Sequence, residues 1–299
     1  MADTQEQNRT GHSGWHYRPV PPMDEAQFRQ WQSLLESHTG MTLSRERKSF
    51  LETNLSIRLR ELGQDSYQAY YQALMAGGPA AVVEWATLVD RLTVQETRFF
   101  RDPDAFRLIG DFARQYCESR PGVRNLSAWS LGCSSGEEAY SMAMVLERAL
   151  KGLPKPPYFS VTGSDISQPA LNKASAGVYS SRKLVTLDEA CRQQYMEPLD
   201  EGHYRVCEPL RQRLCFTRIN AMQLDRAPMH GMVIILCQNL LIYFRHWRRR
   251  QIVNALVELL APGGLLVLGQ GELNHWQHPA MQPLKNRHVM AWVRQEPKE

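Results

Sequence analysis

The sequence lacks the cysteine and histidine patterns of a metal-binding or disulfide-stabilised protein. Its 299 residues include six cysteines, but no two form a Cys-x-x-Cys pair and no histidine cluster has the spacing of zinc ligands. We therefore expect no metal site, and free thiols in a reducing compartment. Residues 1–18 are polar and lack the apolar core of a signal peptide, so the sequence predicts a cytoplasmic protein.

Long apolar runs and an excess of one charge are also missing. The most apolar stretch, residues 232–244, contains Gln238 and Asn239 and is too short to cross a bilayer, so we expect no membrane insertion. The chain has 35 basic and 31 acidic side chains, and this formal charge of +4 does not indicate a nucleic acid as partner. The 43% hydrophobic and 22% charged residues are typical of a folded globular chain, here with room for about two domains.

Three regions of different pattern divide the chain. Residues 1–22 are polar and end in a proline cluster, which predicts a disordered tail. Residues 23–92 carry apolar side chains at helical spacing, interrupted by glycines, which predicts an all-helical N-terminal domain. In residues 93–299 strand-like and helix-like segments alternate, which predicts an α/β fold with a mostly parallel sheet.

Within the α/β region some segments are sharply bounded and others are not. The clearest are strands at 125–131, 158–162 and 232–237 and a helix at 137–150. Between about 178 and 217 the pattern loosens into short alternating segments, including 203–206 and 214–217. We expect a small antiparallel β insertion there.

The turn after the first predicted strand, residues 132–136, has glycines at both ends that would let a ligand approach the backbone. Alone it is a weak signal, because a tight strand-to-helix turn without a ligand looks the same. Glu137 and Glu138 follow it and would repel the pyrophosphate of a dinucleotide. They suit a cationic ligand such as S-adenosylmethionine, and Asp165 after the second strand can accept hydrogen bonds from two ribose hydroxyls.

Three motifs together resemble the CheR family of chemotaxis receptor methyltransferases. Residues 93–102, Thr-Val-Gln-Glu-Thr-Arg-Phe-Phe-Arg-Asp, are similar to the family signature Asn-Glu-Thr-x-Phe-Phe-Arg. Residues 132–141 are similar to its cofactor loop, and residues 237–244, Cys-Gln-Asn-Leu-Leu-Ile-Tyr-Phe, to its Cys-Arg-Asn-Val-Leu-Ile-Tyr-Phe strand. The motifs occur in the family's order, and the resemblance covers residue 24 to the end.

The resemblance implies a Rossmann-like S-adenosylmethionine-dependent methyltransferase domain behind a small helical domain. It further implies methyl transfer to glutamate side chains of the cytoplasmic helical bundle of chemoreceptors, with S-adenosylhomocysteine as the product. A glutamate carboxylate has a pKa of about 4.3 and is ionised at pH 7, so no general base is needed. Catalysis would consist mostly of aligning the carboxylate oxygen, the methyl carbon and the sulfur.

The resemblance also implies roles for individual residues. Arg101 and Tyr243 would orient the substrate carboxylate, and Arg205 in the insertion would be a second substrate-side arginine. The alternatives are a structural ion pair for Arg101, a buried strand-end tyrosine for Tyr243 and a surface cation for Arg205. The residues implied on the cofactor side are Gln95, Thr97, Arg101, Gly132, Cys133, Ser134, Gly136, Glu137, Asp165, Ile166, Asn220, Ala221, Asn239 and Leu240.

Partner binding is implied for the second predicted helix, because a basic helix of this domain faces the acidic receptor bundle in the family. The implied receptor-binding residues are Arg45, Arg47, Lys48, Arg58 and Arg60. The alternative is a solvated face whose charge is balanced by neighbouring glutamates. The loop at 195–202 is shorter than the family's peptide-binding form and lacks its Gly-x-Gly, so we expect no capture of a receptor's C-terminal peptide.

Four sites depart from the family's usual residues. The family has Asn at the position of Gln95, Arg at Gln238, Asp at Val233 and Gly-His-Ser-Glu at 269–272. We interpret the chain as a divergent member, serving a chemosensory pathway such as one that controls pili or surface motility. The rival hypotheses are a cofactor-binding adaptor without turnover, a nucleic-acid methyltransferase and an oxidoreductase. The sequence has no Asn-Pro-Pro-Tyr motif for holding a flipped base, which disfavours the second.

Overall fold

The computed structural model describes residues 22–93 and 96–296. The predicted tail, apart from its last residue, and Gln95 lie outside these ranges. A short turn of 3₁₀ helix (Arg45–Arg47) precedes the second of the N-terminal helices. The helices of the N-terminal region are α1 (Glu25–Thr39), α2 (Lys48–Leu62), α3 (Tyr67–Met75) and α4 (Gly78–Leu92).

Local signals in the sequence set the ends of these helices. The Asp24 side chain accepts the N–H of Gln27, whose own side chain accepts the N–H of Asp24, so α1 begins in a capping box. Gly40, with a φ of 76°, ends α1 in the left-handed conformation that favours glycine. The apolar faces of the four helices form one core, in which Trp31 and Tyr70 have ring centres 5.4 Å apart.

An ion-pair network inside this domain corrects the role implied for Arg58. Arg58 Nε donates to Glu84 Oε1 at 2.7 Å, Arg58 Nη2 donates to Glu84 Oε2 at 2.5 Å, and the Tyr70 hydroxyl donates to the same carboxylate. Glu61 accepts from Arg58 at 2.8 Å and from Arg91 at 2.7 Å. The side chains of Arg58 and Glu84 are only 18% and 14% exposed. The guanidinium is therefore engaged between α2 and α4 and does not face a receptor.

The rest of the chain forms two sheets surrounded by helices. The helices are α5 (Pro103–Glu118), α6 (Glu137–Leu150), α7 (Gln168–Ala176), α8 (Glu189–Tyr195), α9 (Glu208–Arg211) and α10 (His246–Leu259). The strands are β1 (Asn125–Leu131), β2 (Tyr158–Asp165), β3 (Val178–Ser180), β4 (Met196–Asp200), β5 (His203–Val206), β6 (Leu214–Arg218), β7 (Met232–Cys237), β8 (Leu260–Leu268), β9 (Met281–Pro283) and β10 (Met290–Arg294).

The main sheet has the strand order β6-β2-β1-β7-β8-β10-β9. The first five strands are parallel, whereas β10 is antiparallel to β8 and β9 is antiparallel to β10. Every residue of β7 is buried, and apolar cores lie on both faces of the sheet. The fold is therefore the predicted α/β class, with a mostly parallel sheet, behind an all-helical domain. No helix within the described ranges has both the length and the apolar character to span a membrane.

The small antiparallel sheet has the order β3-β5-β4 and corresponds to the predicted insertion. Its predicted C-terminal limit, 217, is wrong. Residues 214–218 form β6, which pairs in parallel with β2 at the edge of the main sheet. The error has a physical cause, because an edge strand is partly exposed and so shows the alternation expected of an antiparallel hairpin.

We expect Arg58→Ala to lower the free energy of unfolding by about 2 kcal/mol, because it leaves the partly buried Glu84 carboxylate without its main partner. Arg45→Ala is the matched control, since Arg45 is 77% exposed and lies 3.4 Å from Glu25. Arg45→Ala should lower the free energy of unfolding by no more than about 0.5 kcal/mol. Urea unfolding followed by tryptophan fluorescence measures both, and equally small losses would contradict the structural role of Arg58.

Candidate active site

A cavity of about 220 Å³ opens at the carboxyl ends of β1, β2 and β7, the edge at which parallel sheets bind ligands. Most of its wall comes from the sheet domain and from the segment before α5. The residues implied by the sequence that line it are Thr97, Arg101, Gly132, Ser134, Asp165, Ile166, Asn220, Ala221, Asn239, Leu240 and Tyr243. Motifs that are far apart in the sequence therefore converge on one concave site.

Asp165 is fixed at the end of β2 by two backbone N–H groups. Ser134 N–H donates to its Oδ2 and Ser167 N–H to its Oδ1, both at 2.9 Å. Ser134 has a φ of 50°, which is uncommon for a residue other than glycine and belongs to the tight turn after β1. Burial raises the pKa of Asp165, and the backbone hydrogen bonds oppose that shift. The carboxylate is thus held in place and can accept hydrogen bonds from ribose hydroxyls.

The two glutamates at the start of α6 have different surroundings, which corrects the assignment of Glu137. Glu137 is fully buried and outside the cavity lining; Ser135 Oγ donates to its Oε2 at 2.7 Å and Lys183 Nζ lies 2.9 Å from its Oε1. Glu138 lines the cavity instead, and Ser130 Oγ donates to its carboxylate at 2.7 Å. Successive helical residues point about 100° apart, so only one of the pair reaches the site. Glu138 is therefore the acid that can meet a cationic ligand.

The ionisation of Glu138 depends on its buried position. Burial raises the pKa of Glu138 to about 8, the hydrogen bond from Ser130 opposes the shift, and the negative charge of Glu272 adds to it. Arg101 favours the carboxylate, but its influence is smaller. At pH 7 the ligand-free site therefore holds this group mostly protonated, and a bound cation would favour its ionisation.

The loop at 239–243 carries Tyr243 and is held by the buried carboxylate of Glu272. Gly269 N–H donates to its Oε2 at 2.9 Å, and Ile242 N–H donates to its Oε1 at 3.4 Å. A Cβ atom at position 269 would lie 2.7 Å from the carboxyl carbon of Glu272, so glycine is required there. Burial raises the pKa of Glu272, against the effect of its backbone hydrogen bonds. One side chain thus sets the position of the loop.

Arg101 lines the cavity without a carboxylate partner. Its Nη1 donates to the carbonyl oxygen of Glu96 at 2.7 Å, and no described acid lies within 4 Å of its guanidinium. The acids that could pair with it have other roles, since Asp104 pairs with Arg107 and Asp102 caps α5. The positive charge of Arg101 is therefore available to an anionic substrate.

Tyr243 lies where the helical domain meets the loop. Its carbonyl oxygen accepts the N–H of Thr42 at 2.7 Å, and the guanidinium of Arg47 lies 5.8 Å from the centre of its ring. Two hydrogen bonds of 2.5 and 2.8 Å join the nearby Arg245 to Glu36 of α1. Burial raises the pKa of Tyr243, so its phenol stays a hydrogen-bond donor at neutral pH.

The connection between α1 and α2 is a part of the site that the sequence did not reveal. Thr39 and Met41 line the cavity, and Asn220 Nδ2 donates to the carbonyl oxygen of His38 at 3.3 Å. The only local signal is an apolar side chain, Met41, in a short connection between helices. The helical domain therefore closes one wall of the cavity.

Three further implied residues, besides Glu137, lie outside the cavity lining. Cys133 is buried, and a Cβ atom at Gly136 would lie 2.7 Å from the Cβ of Ala174. Both residues shape the turn after β1. Arg205 lies on β5 opposite Val178 and is not part of the cavity lining, so its implied catalytic role stays a prediction.

The residues that depart from the family pattern form ordinary hydrogen bonds or apolar packing contacts. Gln238 Nε2 donates to Asp102 Oδ2 at 2.9 Å, and Val233 lies in the apolar core of β7. The side-chain amide of Gln270 donates to the carbonyl oxygen of His288. None of these contacts removes a residue that lines the cavity.

Two family profiles match the chain and together cover most of it. The family described as CheR methyltransferase, all-alpha domain, matches residues 26–93, and the family described as CheR methyltransferase, SAM binding domain, matches residues 95–289. The chain belongs to the CheR methyltransferase family. The two matches meet just after α4, where the helical domain ends.

CheR-type relatives are similar over most of the chain. A chemotaxis protein methyltransferase of Klebsiella aerogenes is 34% identical over 254 residues, covering 84% of this chain and 84% of that protein. One of Salmonella typhimurium is 32% identical with 84% of each chain covered. A probable biofilm formation methyltransferase, WspC, of Pseudomonas putida is 35% identical over 71% of this chain and 50% of that protein.

S-adenosylmethionine, the cofactor of the CheR domain, fits the chemistry of the cavity. Glu138 suits a cationic amino-acid part and Asp165 suits a ribose. Ile166, Leu240 and the amide of Asn220 provide the mixed apolar and polar wall that an adenine needs. This CheR-family chain is an S-adenosylmethionine-dependent methyltransferase.

Glu138→Gln should weaken S-adenosylmethionine binding by a factor that grows between pH 6 and pH 8. Only the carboxylate attracts a cation, and it forms as the pH approaches its pKa of about 8. A charge-assisted hydrogen bond contributes about 1.5–3 kcal/mol, so the ratio of affinities should exceed about tenfold at pH 8. Calorimetric titration measures the two affinities at each pH. Because any titration of S-adenosylmethionine itself affects both proteins equally, it cancels in their ratio. A ratio that is constant over this range would exclude Glu138 as the cation contact.

Glu272→Gln should lower kcat by about tenfold and change the KM for S-adenosylmethionine less. The amide places N–H groups against backbone N–H groups, and each unsatisfied donor costs about 1–3 kcal/mol, which displaces Tyr243. Glu258→Gln is the control, because its side chain is 69% exposed and outside the site, and it should stay within about twofold. Steady-state kinetics measure both variants; equal kcat values would show that the loop does not depend on Glu272.

Proposed function

We propose that the protein is a protein-glutamate O-methyltransferase that modifies the cytoplasmic helical bundle of chemoreceptors. The observation that carries the proposal is the guanidinium of Arg101 at the wall of the cofactor cavity, which has no carboxylate within 4 Å among the described residues. A planar guanidinium binds a carboxylate in two parallel hydrogen bonds. The names of the relatives, which refer to chemotaxis, agree with a receptor substrate.

The side chains of the cavity favour an acceptor that is already ionised. Among the described residues that line it there is no histidine, lysine or cysteine, and its acids are Glu96, Glu138 and Asp165. A substrate glutamate with a pKa of about 4.3 is already ionised at neutral pH and needs no general base. Arg98 and Arg101 supply positive charge for an anion. This combination supports a carboxylate acceptor over a nucleic acid.

The proposed mechanism has two parts, which are alignment of the reacting groups and their removal from water. Bound S-adenosylmethionine supplies an electrophilic methyl group on a sulfonium. Arg101 would hold the substrate carboxylate, and the Tyr243 hydroxyl would donate to the oxygen that does not react. Glu138 and Asp165 would hold the cofactor side, and the connection between α1 and α2, through Met41, forms part of the wall. Transfer converts a carboxylate and a sulfonium into two neutral groups, which a water-excluding cleft favours.

Receptor contact is proposed at the basic end of α2, without Arg58. Arg45 and Lys48 share Glu25 at 3.4 Å each, and Arg45 is 77% exposed. Arg47 lies next to Tyr243, so this end of α2 borders the cavity. Arg60 is exposed on the same helix. Exposed cations of this kind raise the rate and specificity of association with an acidic partner.

The proposal has two finer parts, one on the capture of a receptor peptide and one on the pathway. The hairpin between β4 and β5 is short, and we keep the prediction that no C-terminal receptor peptide is captured there; a pull-down with micromolar affinity would contradict it. Similarity to the probable biofilm formation methyltransferase supports a pathway linked to surfaces, such as one that controls pili or surface motility.

The test is transfer of a labelled methyl group to a purified cytoplasmic receptor fragment. The label should be released by alkali, because a glutamate methyl ester hydrolyses and an N-methyl group does not. Arg101→Ala should lower kcat/KM for receptor by about 100-fold, as expected when a bidentate charged contact of about 3 kcal/mol is lost. Arg226→Ala, an exposed control, should change it by less than about twofold.

The outcomes separate this function from its rivals. Binding of S-adenosylmethionine without transfer to any receptor would favour the adaptor. Alkali-stable label, or label in nucleic acid, would contradict a carboxylate acceptor. Equal activity of Arg101→Ala and the control would remove Arg101 from the mechanism.

A further inference from the structure

A surface groove of about 910 Å³ lies beside the catalytic cavity, between α5, α6 and the N-terminal end of α8. Helix α5 contributes one face at helical spacing. The α5 residues in the groove are Pro103, Phe106, Arg107, Gly110, Asp111 and Arg114. From 103 to 114 the helix rises about 16 Å, roughly the length of three helical turns. The groove therefore has the length to receive a helical segment.

Positive charge dominates this groove. The arginines that line it are Arg98, Arg101, Arg107, Arg114 and Arg148, whereas its only two described acids are Asp111 and Asp188. The side chains of Arg107 and Arg114 are 69% and 52% exposed, and each pairs with an acid of its own helix. Exposed pairs of this kind contribute little free energy, so the carboxylates of a partner can replace them.

Apolar side chains form the floor of the groove. The rings of Phe100 and Phe106 pack edge to face with centres 5.3 Å apart. Gly110 lets α5 approach α6, because a Cβ atom there would lie 3.0 Å from Val145 Cγ1. Phe100 has a φ of 49°, a strained value for a bulky residue, and its N–H donates to Ser141 Oγ at 2.9 Å. The fold thus holds the ring of Phe100 in the groove although the backbone conformation at this residue is unfavourable.

The groove is continuous with the cavity. Arg98, Arg101 and Phe106 line both of them. A protein chain whose acceptor carboxylate enters the cavity beside Arg101 can extend across this junction. An extended charged and apolar surface at that point is placed to bind the chain on one side of the acceptor.

We propose that this groove docks an acidic amphipathic helix of the protein substrate, beside the acceptor glutamate. The identity of that substrate rests on the proposed function. Carboxylates of the helix pair with Arg107 and Arg114, and its apolar side packs on the partly exposed Phe100, whose ring rests on the buried Phe106. The groove is a surface distinct from the basic end of α2, since it is built from other elements.

The test compares Arg107→Ala/Arg114→Ala with the control Arg29→Ala/Arg226→Ala, which removes the same charge from exposed positions outside the groove. The probe is a purified cytoplasmic receptor fragment, methylated by the full chain. The groove variant should raise the KM for the fragment about tenfold at low salt, with kcat at saturating fragment and the affinity for S-adenosylmethionine within about twofold. The difference should shrink at about 0.5 M salt, because ions screen exposed charges.

Each outcome decides the question. A KM unchanged within twofold, or raised equally by the control, overturns the groove while leaving the proposed function intact. If the wild type transfers no methyl group, the proposed function fails, and the groove is judged by equilibrium binding of the same fragment. If the wild type binds the fragment and the groove variant does not, the groove proposal is supported. If the wild type binds a DNA duplex but not the fragment, and only the groove variant loses DNA binding, the groove proposal is overturned.

Discussion

The buried carboxylate of Glu272 is the constraint on which the rest of the active site depends. It is 2% exposed, and a polar group at such a position is unfavourable unless hydrogen-bond donors satisfy it. Those donors are the N–H groups of Gly269 on one side and of the loop at 239–243 on the other. The loop therefore has one low-energy position, and that position brings Asn239 and Tyr243 to the cavity.

The same loop joins the two domains, which makes the helical domain part of the active site. Thr42 N–H donates to the carbonyl oxygen of Tyr243, and Met41 lines the cavity one residue earlier. Arg45 and Arg47 follow within five residues of Thr42, so a partner bound at the start of α2 would lie next to Tyr243. In the proposed function, receptor recognition and alignment of the substrate would therefore share one short stretch of chain.

The sequence predicts features that depend on neighbouring residues and misses those that depend on contacts between distant parts of the chain. The bounds expected for β1, α6 and β7 agree with the structure, because buried strands and amphipathic helices leave a clear pattern of apolar residues. Arg58 resembles its exposed neighbours, since its partner Glu84 lies 26 positions away in the sequence. The motif resemblance brings most cavity residues together, but no motif tells which of two adjacent glutamates faces the ligand.

The formal charge of +4 conceals charges of both signs around the cavity. Arg98 and Arg101 line it together with Glu96, Glu138 and Asp165. The proposed reaction brings together an anion and a cation and removes both charges, so the cavity offers charges that suit each reactant. Because burial raises the pKa of Glu138 to about 8, its negative charge develops mainly when a cation is bound. The ligand-free site thereby avoids burying an uncompensated charge, and cofactor binding completes the electrostatic arrangement that the substrate meets.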